Sequence, residues 1–580
     1  TFGDLTDVLW WRELQLPTRS VITRNGRIQQ EVPEWIADGP GATLFEESLA
    51  GKTAFSAREA IVGALRESGD LDGDPTPTQR KANFYERGEK PLEIVTSRQW
   101  YIRNGGREAA LNDALVGRGD EVDFHPAFMR ARYANWVRGL NGDWLISRQR
   151  FFGVPIPVWY AVDASGEVDY DTLILPSAEE LPVDPAANPP AGFSESQRGE
   201  PGGFVGDPDV FDTWATSSLS PQIAGGWRSG DPLWEKVFPM DLRPQAHDII
   251  RTWLFATIVR SHFEHGSVPW INAAISGWIL DPDRKKMSKS KGNVVTPEDV
   301  VVQHSADAVR YWAASGRLGT DAAYDVGQMK VGRRLAIKIL NASKFALSFG
   351  EVSAESDEAL AAQVTEPLDR AVLASLRDVV ARATTGFEGW DYTRSLEATE
   401  TWFWSFCDDY LELVKDRAYG GRGEEGAASA RATLRIALDV VLRLFAPILP
   451  YVTEEVWSWW RDGSVHRASW PSVDEVPAGG EAELLDSVGA ALAAVRKTKS
   501  EAKVGMRTEV ASVTLVGSAA ALEHVRAAEA DLRAAGRITG DLGLVESAAA
   551  GDGADGDAAS GGDGAVVTAR DADLVIDVAK

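Results

Sequence analysis

Apolar residues recur at helical spacing throughout the second half of the chain. Such spacing places the apolar side chains on one face of a helix. The stretches that show it are 331–349, 366–386, 391–417 and 427–446. Pro447 and Pro450 interrupt the pattern before a last helix that ends at Trp460, because proline breaks a helix interior. Long amphipathic helices with short links predict an all-α bundle over residues 328–478.

Residues 89–327 alternate between short apolar runs and amphipathic stretches. Residues 273–280 form a short apolar run, as expected for a buried parallel strand. Residues 244–263 have helical spacing, with apolar side chains on one face. Residues 176–206 are rich in proline and glycine and predict an exposed insertion. The alternation predicts an α/β fold, as in half of a nucleotide-binding domain.

The beginning of the chain is less regular. Residues 1–88 include one clear helix at 56–67, where Ser56 and Glu59 predict a capping box. Residues 70–78 are rich in Asp, Gly, Pro and Thr, a composition typical of a loop.

The end of the chain predicts a small α+β unit over residues 479–580. A basic helix leads into a strand at 509–516, a helix at 519–535 and weaker strands. Residues 548–564 consist only of Ala, Gly, Asp and Ser. This composition cannot bury a core, so we expect a disordered loop there.

The composition is that of a globular protein, with 44% hydrophobic and 25% charged residues among 580. About two to four domains are expected at this length. No apolar run approaches the ~20 residues that cross a bilayer, and we expect no signal peptide. The single cysteine, Cys407, excludes a disulfide framework and a cysteine-cluster zinc site. We therefore expect a cytoplasmic protein with no membrane partner and no zinc.

The net charge of -26 alone argues against a nucleic-acid partner, because phosphate binding depends on Lys and Arg. The basic residues are nevertheless clustered. The clusters are Arg130, Arg132, Arg138, Arg148 and Arg150; Lys285, Lys286, Lys289 and Lys291; Arg333, Arg334 and Lys338; and Arg496, Lys497, Lys499, Lys503 and Arg507. They could contact a polyanion or be ordinary solvated faces, and charge alone leaves both interpretations open.

The sharpest local signal is the run from Lys286 through Met287, Ser288 and Lys289 to Ser290. Two lysines flank small side chains directly after the predicted strand and a turn. Ammonium groups placed this way suit a polyphosphate, because charge builds on the phosphates as the α-phosphate of ATP is attacked. The alternative is a basic surface loop without a role.

This run resembles the Lys-Met-Ser-Lys-Ser signature of class I aminoacyl-tRNA synthetases. Residues 143–155, 209–214 and 447–457 resemble three further segments of the isoleucine, valine and leucine members of that family. The resemblance extends from residue 1 to about residue 510 in family order. It implies the second half of a Rossmann-like catalytic domain with part of an editing domain, an anticodon-binding bundle and a C-terminal appendage.

Within the family, residues 1–7, 214–218 and 243–250 are most similar to valine-specific members, particularly those of archaeal type. The resemblance implies a role for individual residues at three sites. The catalytic residues are Lys286, Ser288, Lys289 and Ser290; the ATP-binding residues are Met287, Asp248, His247 and again Lys289; the amino-acid site contains Trp214 and Asp212. The alternatives are a core position for Trp214, a helix salt bridge for Asp248 and a structural role for His247.

A hydrophobic pocket rejects threonine in favour of valine by only ~10²-fold, a limit known for valine enzymes. A second, hydrolytic site is therefore expected. Asp4 and Asp7 match the editing carboxylates of the valine enzymes. The alternative is that they cap a helix at residues 9–14, since Asp favours helix starts.

The resemblance implies ATP-dependent joining of valine to tRNA(Val), with Mg²⁺ accompanying ATP and editing of mischarged threonine. We also expect a monomer. None of the seven histidines lies in the family's His-Ile-Gly-His context, and the chain opens with Thr1. We therefore expect an upstream segment to carry that signature, and residues 1–580 alone to be inactive. Two alternatives remain: an isoleucine enzyme and a non-catalytic tRNA-binding paralogue.

Overall fold

The computed structural model describes residue 2 and residues 4–37, 39–76, 92–287, 292–350 and 356–546. Ser288, Lys289, Ser290 and the predicted loop at 548–564 lie outside these ranges. The chain forms two compact units. The first unit comprises Thr1–Ala109 and Leu140–Thr216, and the second comprises Ala110–Gly139 and Ser217–Lys580. This division is coarser than the four predicted domains, whose boundaries stay predictions.

The first unit begins with two capped helices. Helix Leu5–Glu13 follows Asp4, whose side chain accepts a hydrogen bond from the Thr6 amide at 2.8 Å. Helix Ala54–Ser68 is capped by Thr53, whose hydroxyl accepts from the Ser56 amide. The predicted start at Ser56 is therefore wrong, because an extended Thr53 supplies the cap one turn earlier. The short elements between them are Glu34–Ile36, Pro40–Leu44 and Phe45–Leu49.

The rest of the first unit is built from small antiparallel sheets. Strand Trp159–Val162 lies between Val168–Ile174 and Phe204–Gly206. The paired two-residue strands are Tyr101–Ile102 with Trp144–Leu145, and Ser147–Arg148 with Val210–Phe211. The insertion predicted at 176–206 contains turns at Ala178–Glu180 and Glu195–Gln197. Its end is not exposed, because Phe204 pairs with the central strand and is fully buried.

The second unit contains a parallel sheet in the order Asp123–His125, Trp270–Ser276, Met240–Ala246. We call these three strands the parallel sheet. The central strand confirms the parallel strand predicted near residues 273–280. The helices of this part are Ala109–Asp120, Met129–Arg138, Ser220–Gly225, Leu233–Val237 and Phe255–His265. The short helix Thr213–Ser217 lies at the end of the first unit.

The helix predicted over 244–263 begins too early. Residues 244–246 belong to strand Met240–Ala246, and short turns at His247–Ile249 and Ile250–Leu254 precede the helix proper. Among the described residues this strand is an edge of the sheet, and proline is tolerated on edge strands. Pairing with residues 270–276 therefore overrides the local helical spacing.

The bundle follows two short helices, Pro297–His304 and Ala306–Ala314. Its helices are Val326–Leu347, Asp357–Ala362, Pro367–Glu388, Tyr392–Ser405, Leu411–Ala418, Gly423–Phe445 and Pro450–Trp457. The helix predicted at 391–417 is interrupted by a wider turn at Phe406–Tyr410. Pro450 occupies the first turn of the last helix, where its missing N–H costs nothing.

The C-terminal part forms a β-α-β arrangement against the bundle. Helix Glu483–Glu501 leads into strand Val510–Gly517, helices Ala519–Ala527 and Glu529–Gly536, and strand Ile538–Glu546, which runs parallel to the first strand. Buried side chains here, including Leu515 and Ile538, belong to the same core as those of the bundle.

A buried ion network also connects the C-terminal part to the bundle. Arg417, fully buried, donates to Asp369 at 2.6 and 2.7 Å and to Asp531 at 3.0 Å. Within the described ranges, no helix is long and apolar enough to span a membrane.

Candidate active site at the carboxyl end of the parallel sheet

The signature loop, which we define as residues 281–287, follows the central strand of the parallel sheet. Its base is a short pairing of Ile279–Leu280 with Ala322–Ala323. The Asp281 carboxylate accepts from the Lys285 amide at 2.7 Å and from Asn293 Nδ2 at 2.8 Å. The hydrogen bond from Asn293 and then that from Lys285 hold the pKa of Asp281 below its ordinary value. An ionised Asp281 therefore fixes the start of the loop.

Lys286 is linked through the ring of Trp278 to His247. Its Nζ is 4.2 Å from the ring centroid of Trp278, a cation–π contact. The ring of Trp278 is in turn 4.5 Å from that of His247, centroid to centroid. His247 directly follows strand Met240–Ala246. Lys286 is thus at the carboxyl end of parallel strands, where open α/β sheets bind ligands.

His247 is buried between charged neighbours. Arg132 lies 2.7 Å from its Nδ1, and Asp321 lies 3.6 Å from its Nε2. A guanidinium can only donate, so Nδ1 accepts and the hydrogen of a neutral ring sits on Nε2. Asp248, the next residue, is exposed at the same end of the strand.

Sequence reasoning missed Arg132, Trp278 and Asp321 as members of this site. Arg132 was visible only as part of a basic cluster, and its partner His247 is 115 positions away. Asp321 accepts from the Trp278 amide at 2.8 Å and so joins the loop base to His247. No local spacing signals these contacts, because all of them form between distant segments.

Trp214 and Asp212 belong to the first unit. The buried Asp212 carboxylate accepts from the Trp214 amide at 2.7 Å and pairs with Arg148. It thereby caps the short helix Thr213–Ser217. Trp214 is only half-buried, so it is not an ordinary core side chain. The carboxylate of Asp212 is engaged in orienting the segment that carries Trp214.

Two more buried carboxylates brace the same segment. Asp207 accepts from Trp100 Nε1 at 2.7 Å and from the Tyr160 hydroxyl at 2.6 Å. Asp209 accepts from Gln149 Nε2 at 2.9 Å. Burial and the bond to Asp207 raise the pKa of Tyr160, which keeps the phenol protonated as a donor. Asp209 lay within a quoted motif, but sequence alone gave neither residue a role.

Asp4 and Asp7 lie at the start of helix Leu5–Glu13. Asp4 is the N-cap of Leu5–Glu13, so the alternative of helix capping is realised for Asp4, four residues earlier than expected. Asp7 lies in the first turn, where a negative charge is favourable to the helix dipole. Their editing role stays a prediction.

No group of three or more His, Cys, Asp or Glu side chains that could hold a metal ion occurs among the residues with described positions.

Comparison with known proteins places this geometry in a family. Residues 40–325 match the tRNA synthetases class I (I, L, M and V), and residues 369–515 match the anticodon-binding domain of tRNA ligase.

Three relatives are valine--tRNA ligases. The chain is 60% identical over 92% of its length to that of Cutibacterium acnes, 62% over 93% to that of Thermobifida fusca, and 60% over 94% to that of Salinispora arenicola. It spans 61%, 61% and 65% of those proteins.

The resemblance first seen in the signature loop is thus confirmed by two independent segments of the chain. The signature loop at the carboxyl end of the parallel sheet lies within the first match, and helices of the bundle lie within the second. The chain belongs to the class I tRNA synthetases and carries the anticodon-binding domain of the tRNA ligases.

Proposed function

We propose that this protein activates valine with ATP and transfers it to tRNA(Val). The observation that carries the proposal is the identity of about three residues in five to proteins named valine--tRNA ligase, over more than nine-tenths of the chain. The position of Lys286 over Trp278, whose ring also contacts His247 at the carboxyl end of the parallel sheet, supports the same chemistry.

In the first step, a carboxylate oxygen of valine attacks the α-phosphorus of ATP. A C–O–P bond forms, the bond from the α-phosphorus to the bridging oxygen breaks, and pyrophosphate leaves with the electron pair. Negative charge grows on the departing phosphates, where an ammonium group stabilises the transition state more than the ground state. Lys286 supplies one such group, and the resemblance assigns another to Lys289, with Mg²⁺ accompanying ATP.

In the second step, a terminal ribose hydroxyl of tRNA(Val) attacks the activated carbonyl and AMP leaves. The bundle is proposed to hold the anticodon end of that RNA, in line with the match over residues 369–515. We propose a monomeric cytoplasmic enzyme.

The amino-acid site is proposed to use Trp214 as a rigid wall against the branched side chain. Asp212 then acts as a positioning residue, since its carboxylate binds Arg148 and the Trp214 amide. Asp248 is proposed to bind the ribose of ATP, because it is exposed where its strand ends.

Hydrolytic editing of threonine is proposed for Asp4 and Asp7. Asp4 would combine this role with its cap, since the carboxylate uses one oxygen for the Thr6 amide. Asn at this position preserves the cap but removes the charge. Asp4→Asn therefore separates the two roles: loss of threonyl-tRNA hydrolysis with an intact helix supports editing, and unchanged hydrolysis contradicts it.

We further propose that residues 1–580 alone do not form valyl-adenylate, because they contain no His-Ile-Gly-His signature. The test is valine-dependent pyrophosphate exchange by the chain alone and by the chain joined to the N-terminal part of the Thermobifida fusca relative. Exchange is expected only from the joined protein, with valine far above isoleucine. Binding of tRNA(Val) by both proteins is the control for folding.

Each other outcome overturns one statement. Exchange by residues 1–580 alone refutes the requirement for the upstream signature. A preference for isoleucine would indicate an isoleucine enzyme. Binding of tRNA without exchange for any amino acid would indicate a non-catalytic tRNA-binding protein.

A further inference from the structure

The second unit contains an open cavity of ≈ 620 Å³ that the proposed ligase activity does not use. It lies where strand Asp123–His125, an edge of the parallel sheet among the described residues, meets the turn between helices Pro367–Glu388 and Tyr392–Ser405 of the bundle. Small-molecule sites typically have volumes of about 300–1,000 Å³. We call this space the junction cavity.

One wall of the junction cavity is a pair of stacked rings. The imidazole of His125 and the indole of Trp390 lie 4.4 Å apart, centroid to centroid, with their planes 18° apart. Trp390 has a φ of 60°, a left-handed conformation that bulky residues rarely adopt and that glycine usually supplies just after a helix. Such strained positions concentrate at ligand sites. Trp390 is partly exposed, so its indole can contact a ligand.

The ring of His125 has one nitrogen committed to the sheet. Asn272 Nδ2 donates to the Asp241 carbonyl at 3.0 Å, so the amide oxygen of Asn272 is the atom that lies 2.9 Å from His125 Nε2. An amide oxygen can only accept, and Nε2 therefore carries the hydrogen. In the neutral ring, Nδ1 then keeps a lone pair that can accept from a ligand.

The charged side chains around the junction cavity leave one carboxylate unbalanced. Arg130 pairs with Asp120 at 3.1 Å, and Arg317 lies 3.6 Å from Asp391. Both guanidiniums thus have a carboxylate partner already. Within the described ranges, the exposed Asp123 carboxylate has neither a hydrogen bond nor an ion pair. The cavity therefore has an excess of one negative charge.

Asp123 lies on the same face of its strand as His125. The two are alternate residues of strand Asp123–His125, so their side chains extend to one side of the sheet, and both line the junction cavity. A carboxylate can only accept hydrogen bonds. The cavity thus combines an unpaired negative charge, an imidazole acceptor and the indole of Trp390, which together suit a cation that carries N–H groups.

We propose that the junction cavity binds a small organic cation whose head group is a guanidinium or an alkylammonium. The N–H groups donate to Asp123 and to His125 Nδ1, and the charged head lies against the indole of Trp390 in a cation–π contact. This site goes beyond the ligase activity and involves none of its residues. A guanidinium can give Asp123 two parallel hydrogen bonds, whereas an ammonium is a point charge, so the guanidinium is expected to bind more tightly.

The test is equilibrium binding to the 580-residue chain by calorimetry, with three probes of similar size. They are butylguanidinium, butylammonium and the neutral butylurea. Both cations are expected to bind at millimolar concentrations. Butylurea has nearly the shape of butylguanidinium but no charge, and it is expected to bind about tenfold more weakly, because charge-assisted hydrogen bonds are roughly twice as strong as neutral ones.

Two substitutions remove the proposed contacts. Asp123→Asn keeps the size of an exposed side chain but removes its charge, and it is expected to weaken binding of the cations about tenfold and to abolish their advantage over butylurea. Trp390→Gly removes the indole at a position whose φ suits glycine, and it is expected to weaken binding about three- to fivefold. The urea midpoint of each variant separates loss of a contact from loss of the fold, and the isosteric Asp123→Asn decides if Trp390→Gly is unstable.

The matched control is Asp113→Asn. It removes an exposed carboxylate of helix Ala109–Asp120 that does not line the junction cavity, and it is expected to change neither the affinity for the cations nor their advantage over butylurea. The position of the bound cation is read from the imidazole NMR signals of the seven histidines in ¹⁵N-histidine-labelled protein. Butylguanidinium is expected to shift chiefly the signals of His125, which His125→Gln identifies by their loss.

Tighter binding of butylguanidinium would identify a guanidinium as the preferred head group, and tighter binding of butylammonium would identify an amine. Absence of binding at millimolar concentrations overturns the proposal. Equal binding of butylurea, undiminished affinity in Asp123→Asn, and shifts confined to histidines other than His125 each overturn it as well.

Discussion

The ion network of the bundle and the cationic site at the parallel sheet use charge in opposite ways. Arg417 is fully buried, and three short hydrogen bonds to Asp369 and Asp531 occupy its guanidinium. Lys286 is exposed and lies over the ring of Trp278. The first charge has fixed partners and is unavailable to a ligand. The second is held weakly enough to leave for a phosphate.

Magnitudes support this contrast. A cation–π contact at an exposed position is worth about 0.5–1 kcal/mol, which a charged ligand readily exceeds. Breaking a buried ion pair costs about 3–5 kcal/mol, because an uncompensated charge is left inside the protein. The structure-forming charge of Arg417 and the charge of Lys286, which we propose binds phosphate, therefore differ chiefly in burial.

The largest expected effect is on stability. Arg417→Ala leaves Asp369 and Asp531 buried without their cation, and we expect the free energy of unfolding to fall by about 3–5 kcal/mol. Urea denaturation followed by circular dichroism measures it. Arg422→Ala is the matched control, since Arg422 also contacts Asp531, at 3.1 Å, but is 33% exposed. Equal losses in both variants would break the contrast.

The next effect is on chemistry rather than stability. In the exchange-competent joined protein, Lys286→Ala is expected to lower kcat for pyrophosphate exchange by about 10²–10³, the usual cost of one transition-state donor. The urea midpoint should not change. Lys285→Ala is the control, because its ammonium lies 3.8 Å from Asp283 at the surface. A shifted midpoint with unchanged kcat would give Lys286 a structural role.

A smaller effect is expected at the first helix. Asp4→Ala removes the side-chain cap and should cost ~1 kcal/mol of local stability. Hydrogen exchange of the Val8 amide, which donates to the Asp4 carbonyl at 3.1 Å, reports on it. Exchange as slow as in the unmodified protein would show that the cap contributes nothing.

The smallest effect concerns the start of the signature loop. The pKa of Asp281 is lowered chiefly by Asn293. The stabilisation is fully present above the ordinary pKa of 3.8 and is lost as the pH falls through the lower folded value. NMR of the Asn293 side-chain amide should titrate with a midpoint below 3.8. Asn293→Ala should move the carboxylate midpoint upwards, and an unmoved midpoint contradicts this cause.

The sequence predicted those parts of the fold that depend on local spacing. The helices of the bundle and the central parallel strand are confirmed, because a buried face repeats within a few residues. The helix start at residue 244 is wrong because strand pairing with residues 270–276 is a long-range interaction. A pattern within one segment carries no information about such a partner.

The residues of the candidate site likewise fall into two groups: those that short motifs predicted and those whose contacts are distant in sequence. Lys286, His247 and Asp248 were found through short motifs, and the structure brings Lys286 and His247 together across Trp278. Arg132 and Asp207 were missed because their partners lie 115 and 107 positions away. Lys289 lies outside the described residues, so its role rests on the resemblance alone.

The ion pair between Arg417 of the bundle and Asp531 of the C-terminal part limits how far the chain can be shortened from its C-terminus. A stop codon before position 531 would remove one of the two carboxylates that balance Arg417 and uncover apolar residues shared with the bundle. Truncation variants ending near residue 480 should therefore aggregate or be degraded, even though every residue of the parallel sheet and signature loop would still be translated.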